Sequence, residues 1–184
     1  MVLAAAVVLG GCGVGGEGSA HVIDPSSVPR GLLTVTPDTT SPGFGSQEAN
    51  VTLYFEDGDD LAAVNRAVTS PVTLRQVLKV LSRGPTAPER IEGLQSPLSA
   101  AGPLIVRSIE ADTATVDIRG DFTALGGQDQ IIAAAQLVFT VTAYPGVRAV
   151  RLQLSGQQAA VPTGNGSLTD GPLHRSDYQI LGPR

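Results

Sequence analysis

The sequence predicts an α+β fold: a single small domain with a mixed or antiparallel sheet and two helices packed on one face. Three observations predict it. Residues 128–150 carry apolar side chains at helical spacing and then switch to alternation. Leu74–Leu81 repeats the helical spacing over a shorter run. Residues 51–55, 104–110 and 113–118 are β-rich runs bounded by turn residues. The chain has 184 residues and is 42% apolar, enough for one domain of ordinary size plus tails. The organisation expected is a signal segment at 1–12, a flexible linker at 13–48, the domain at 49–162 and a C-terminal extension at 163–184 with a candidate edge strand.

Residues 2–9 are an apolar run, too short for a bilayer span of about 20 residues. The run matches the apolar core of a secretory signal. Leu9-Gly10-Gly11-Cys12 resembles a bacterial lipobox. That resemblance implies cleavage between Gly11 and Cys12 and lipidation of Cys12, with more than one acyl chain giving stable anchoring. No Lys or Arg precedes the run, so the true start is expected upstream. Gly11, Gly13 and Gly16 also spell G-x-G-x-x-G. A dinucleotide site needs a helix to begin there, and Pro25, Pro29 and the lack of helical period argue against one.

Residues 13–48 are rich in Gly, Ser, Thr and Pro and read as a spacer with a reach of roughly 30–35 Å. Within it, residues 31–35 suit a short strand. Residues 51–55 form the first strong strand. An acidic turn, Glu56-Asp57-Gly58-Asp59-Asp60, follows. Its acids lack the offsets of a Ca²⁺ loop and read as solvated. Residues 61–68 are expected to pair back as a hairpin.

Thr73 and Gln76 have the spacing of a capping box, with Val72 and Val77 as its apolar staple. Leu74, Val77, Leu78 and Leu81 give one buried stripe, and Gly84-Pro85 ends the helix. Residues 86–102 hold Pro88 and Pro97 and read as a long ordered loop, a candidate binding surface. The runs at 104–110 and 113–118 form a hairpin about Ala111-Asp112. In the second run Ala114, Val116 and Ile118 share the buried face, which leaves Asp117 on a polar, solvated one. Asp121-Phe122 begins the connection to the main helix. There Ile131, Ala135, Val138 and Thr142, flanked by Ile132 and Phe139, make one broad stripe. Tyr144-Pro145-Gly146 stops it. Residues 147–154 and 159–161 are expected to flank a turn at 155–158. A polar loop at 163–171 precedes an edge strand at 178–181.

The order of certain residues carries a resemblance. It runs through Leu81-Ser82-Arg83-Gly84-Pro85, Glu89, Gly93-Leu94, Ala114-Thr115-Val116-Asp117-Ile118, Gln136-Leu137-Val138-Phe139-Thr140, Pro145-Gly146-Val147 and Gly156. From residue 51 to 161 the sequence resembles a GerMN domain, the sporulation and germination module. Arg175-Ser176-Asp177-Tyr178 resembles a tail common in actinobacterial members. The family implies an α+β fold like the ring-building modules of envelope and secretion complexes, and no known catalytic residues. Related LpqB lipoproteins carry the module with a further C-terminal domain and modulate a sensor kinase. Gln136 and Thr140, four apart on the main helix, are expected to bond each other or a neighbouring loop.

Chemistry is hard to find in the sequence. His21 and His174 are the only histidines, and both fall in segments read as loops. There is no nucleophile elbow and no phosphate loop. Two histidines and one cysteine argue against a zinc site. Asp117 and Asp121 are the one carboxylate pair considered for acid–base work. A net charge of −5 with no basic patch argues against nucleic acid. The expectation is therefore a membrane-anchored, non-enzymatic module on the extracytoplasmic face. It would use no cofactor or metal. Its partners would be the membrane through its lipid, an envelope protein such as a sensor kinase or assembly complex, and further copies of itself through a sheet edge. The alternative is a lipoprotein that binds a small ligand, a wall fragment or lipid, between the main helix and the 86–102 loop.

Overall fold

A computed structural model of the chain describes residues 47–183. The signal segment with Gly11 and Cys12, the linker through residue 46, the run at 31–35 and His21 lie outside the described residues.

Strands β1 (Glu48–Asp57) and β2 (Asp60–Thr69) form an antiparallel hairpin whose register runs from Glu48 opposite Thr69 to Asp57 opposite Asp60. Both are longer than the sequence suggests, and β1 begins inside the expected linker. Ser70 N donates to Gln47 O at 2.7 Å. Hydrogen-bonded and non-bonded pairs alternate in such a ladder, so this contact sets the phase. Odd-numbered residues of β1 direct their backbone groups to β2, and even-numbered residues direct theirs outward.

Helix α1 (Leu74–Leu81) forms as expected. Thr73 accepts from Gln76 N at 3.3 Å, and Gln76 Oε1 accepts from Thr73 N at 2.7 Å. Leu74, Val77, Leu78 and Leu81 are buried. The 86–102 segment departs from the long-loop expectation. It holds two short helices, α2 (Ala87–Ile91) and α3 (Pro97–Ala100), each with a proline in its first turn. Proline is tolerated there because the amide it lacks has no intrahelical acceptor. A single antiparallel bridge then joins Gln95 to Glu56 of β1.

The larger sheet has the order β3-β4-β5-β6. Strands β3 (Leu104–Glu110) and β4 (Thr113–Ile118) are the expected hairpin. Strand β5 (Ala149–Leu154) lies parallel to β4, so the long connection between them crosses over. That connection holds a 3₁₀ turn (Phe122–Ala124), capped by Asp121, and helix α4 (Gly127–Val141). The single-stripe expectation for α4 is corrected. Every residue from Ile132 to Val141 is buried. The helix packs against β1, β5, β7, α1, α3 and the C-terminal 3₁₀ segment, so no face is left for water. The alanines at 133–135 permit that crowding.

Ser155 and Gly156 alone make the turn into β6 (Gln157–Gln158), a tighter hairpin than the four-residue turn expected. Strand β7 (Val161–Pro162) pairs instead with β8 (Leu168–Thr169). The C-terminal edge strand is also corrected. Arg175–Leu181 is a 3₁₀ segment with a kink at Tyr178. Asp177 accepts from His174 N at 2.7 Å, and the buried Tyr178 hydroxyl donates to Pro162 O at 2.9 Å. Those two anchors outweigh the β preference of Tyr-Gln-Ile-Leu.

Candidate interaction surfaces

The outward edge of β1 divides in two. At its distal half the outward groups are taken. Tyr54 N donates to Thr140 Oγ1 at 3.1 Å. Glu56 and Gln95 exchange two backbone bonds, each of 2.9 Å. Gln136 holds the bridging segment in place. Its Nε2 donates to Gln95 O at 3.1 Å, and its Oε1 accepts from Ser96 Oγ at 3.2 Å and Leu98 N at 3.4 Å. The two buried polar residues of α4, Gln136 and Thr140, thus bond neighbouring segments and not each other. At the proximal half, the outward backbone groups of Asn50 and Thr52 find no partner among the described residues. They border a groove of about 270 Å³ completed by Val72, Val77, Ala143, Tyr144 and Pro145. Its apolar walls are held by the Tyr144 hydroxyl, which donates to Val72 O at 3.2 Å.

A second concavity, about 420 Å³, lies on the 86–102 segment. The turn Arg83-Gly84-Pro85, Arg90, Gly93-Leu94-Gln95, Ser96 and Ser99 line it. Two family-like stretches of the sequence therefore meet here. Gly84 and Gly93 carry φ of +71° and +103°, a region that strains a side chain. Arg90 Nη1 donates to Pro85 O, which pins its guanidinium at the rim. Glu89, its neighbour in sequence, is committed elsewhere, in a bidentate pair with Arg66 of β2. That guanidinium holds the Glu89 carboxyl down at about 2, helped by the Thr86 backbone amide, which donates to it at 2.7 Å. The pair ties α2 to the hairpin.

Asp117 is the main correction among the candidate residues. It is fully buried, not solvated. A bulge at Arg107 shifts the β3–β4 register and turns that side chain onto the carboxylate. Arg119 Nε approaches Asp117 Oδ2 at 2.6 Å, and Gly156 N donates to Oδ1 at 2.9 Å. Both carboxylate oxygens are engaged, so the group ties two hairpins together. Asp121 is separately occupied, capping Ala124 N at 3.1 Å. His174 is exposed at the start of the terminal 3₁₀ segment. Arg175, beside it, lies over the adjoining Tyr54 and Phe139 rings, with its carbon centre 5.5 and 5.1 Å from their centroids. Among the described residues no group of three His, Cys, Asp or Glu could hold a metal. Burial and then Asp129 raise the Glu56 carboxyl, and burial and then Asp177 raise the Tyr178 phenol.

Sequence reasoning pointed to the 86–102 segment as a surface but missed both its helices and the arginine cleft. The Thr86–Glu89 capping-box spacing was the available signal. Nothing local marks Asn50 and Thr52, because their openness depends on what α4 fails to cover.

These features describe a small α+β module whose surfaces offer an open strand edge and a cationic cleft. A family described as Germane, sporulation and spore germination, matches residues 52–160, and the chain belongs to that family. Among solved structures it is similar to the tandem GerMN domains of the sporulation protein GerM from Bacillus subtilis. That likeness has a TM-score of 0.54 and 17% identity, and covers 71% of this chain and 46% of that one. The chain thus spans under half the length of the tandem protein. The first GerMN domain of the same protein gives a TM-score of 0.49 and 20% identity, over 70% of this chain and 98% of that one. No curated protein matches the sequence significantly.

Proposed function

We propose that this protein is an envelope lipoprotein, held by acyl chains on Cys12 at the extracytoplasmic face of the membrane. Its GerMN-like domain, at 49–162, acts without catalysis as an interaction or assembly module. The Leu9-Gly10-Gly11-Cys12 motif supports the anchor, and the 13–48 spacer would carry the domain clear of the bilayer. Family membership supports the assembly role. The observation that carries the reading is the open half of β1. Backbone groups unmatched among the described residues, beside an apolar groove, are what an added extended segment of an envelope protein, or of another copy, requires.

The test is photo-cross-linking in native membranes from position 52, with position 168, exposed on β8 and not part of the groove, as control. A defined neighbour captured from position 52 alone is expected. Recovering none across several growth conditions would overturn the reading. Cys12→Ala should release the protein from membranes, and retention there would remove the anchor from the account.

A further inference from the structure

We infer that the cleft lined by Arg83, Gly84, Pro85, Arg90, Ser96 and Ser99 binds a phosphate-type oxyanion of a small ligand or a lipid headgroup. This goes beyond the assembly reading and uses a different surface. The cleft has a volume of about 420 Å³, within the range of small-ligand sites. Its charge is one-sided. Two arginines line it and no acidic residue does, on a chain whose net charge is −5. Neither Arg83 nor Arg90 forms an ion pair among the described residues.

The surrounding bonds keep it that way. Glu89, which could have neutralised Arg90, is drawn off by Arg66. Arg90 spends one amino group on Pro85 O, which fixes the plane of the guanidinium while leaving its other donors. The serine hydroxyl protons are already used, Ser96 on Gln136 Oε1 and Ser99 on Ser96 O. Donors toward a ligand then come from the arginines and the Gln95 side-chain amide. A planar fork of N–H groups matches two oxygens of a phosphate or carboxylate at once. Leu94 and Pro85, both buried, give the floor an apolar side for the rest of the ligand.

The shared chemistry is a phosphate-type anion, which a soluble compound or a lipid headgroup can supply. The test titrates the full chain, carrying Cys12→Ser, with inorganic phosphate, with glycerol phosphate and with vesicles of phosphatidylglycerol against phosphatidylcholine. Arg83→Glu is the deciding variant, since Arg83 is exposed and, among the described residues, only its backbone amide, which donates to Val80 O, takes part in the fold. Saturable binding that weakens with salt, and falls about tenfold or more in Arg83→Glu at unchanged Tm, is expected. Response to glycerol phosphate assigns a soluble ligand, and response to anionic vesicles alone assigns the headgroup. No response to any probe, or binding that Arg83→Glu leaves intact, overturns the inference. Neither result touches cross-linking at position 52, so the two proposals fail separately.

Discussion

The two halves of β1 share one strand and one backbone phase, yet their outward edges end differently. At Tyr54 and Glu56 the edge is sealed by Thr140 and by a bridging segment that Gln136 holds. At Asn50 and Thr52 it faces a groove. The difference lies in α4. Its buried polar residues close the strand as far as they reach. Beyond Val141 the chain turns away through Ala143, Tyr144 and Pro145 and presents mostly apolar surface. A strand edge is closed by specific acceptors and donors, not by proximity to a helix. Where those run out, the edge is available to another chain.

That contrast can be broken from the sealed side first. Gln136→Leu should have the largest effect. It leaves the buried Leu98 N without its acceptor and takes one of two donors from Gln95 O, which keeps Glu56 N, at a cost of about 3 kcal/mol, read by chemical denaturation. Thr140→Val removes only the acceptor for Tyr54 N and should cost about 1–3 kcal/mol. Glu89→Gln should cost about 1–2 kcal/mol at neutral pH by weakening the tie between α2 and β2. Its pH dependence has a definite sign. The folded carboxyl sits at about 2, below its ordinary value of 4.5. The stabilisation is therefore present above 4.5 and lost as pH falls toward 2. The stability gap between wild type and Glu89→Gln should close over that window. A gap that persists at low pH would refute the charge-based account.

The open side should respond in the opposite sense. The Thr52 amide points away from β2, so Thr52→Pro removes no ladder bond. Stability should change by about 1 kcal/mol or less, while capture of a neighbour through a photo-cross-linker at the adjoining groove position 50 disappears. A large loss of stability would mean that the amide is already paired.

Much of the fold was legible in the sequence because its signals are local. The Thr73–Gln76 box and the Leu74, Val77, Leu78, Leu81 stripe describe α1 completely. The two long hairpins follow from β-rich runs and short turns. What was misread depends on distant partners. Alternation placed Asp117 in water, but Arg107 from a bulge, Arg119 and the Gly156 amide bury it. Pro88 and Pro97 were read as loop residues because a proline inside a helix breaks it, whereas here each opens one. Residues 178–181 have strand propensity and become 3₁₀ through the Tyr178 and Asp177 anchors. The candidate surfaces were half legible. The 86–102 segment stood out, but convergence of Arg83 and Arg90 arises only when the Gly84-Pro85 turn meets Ser96 and Ser99.

The most direct measurement is native-state hydrogen exchange on the individual amides of β1 in the full chain. The amides of Asn50 and Thr52 should exchange fast, and those of Tyr54 and Glu56 should be strongly protected, with Thr140→Val releasing Tyr54 alone. Equal protection along all four would contradict the account, since the edge would then already be closed.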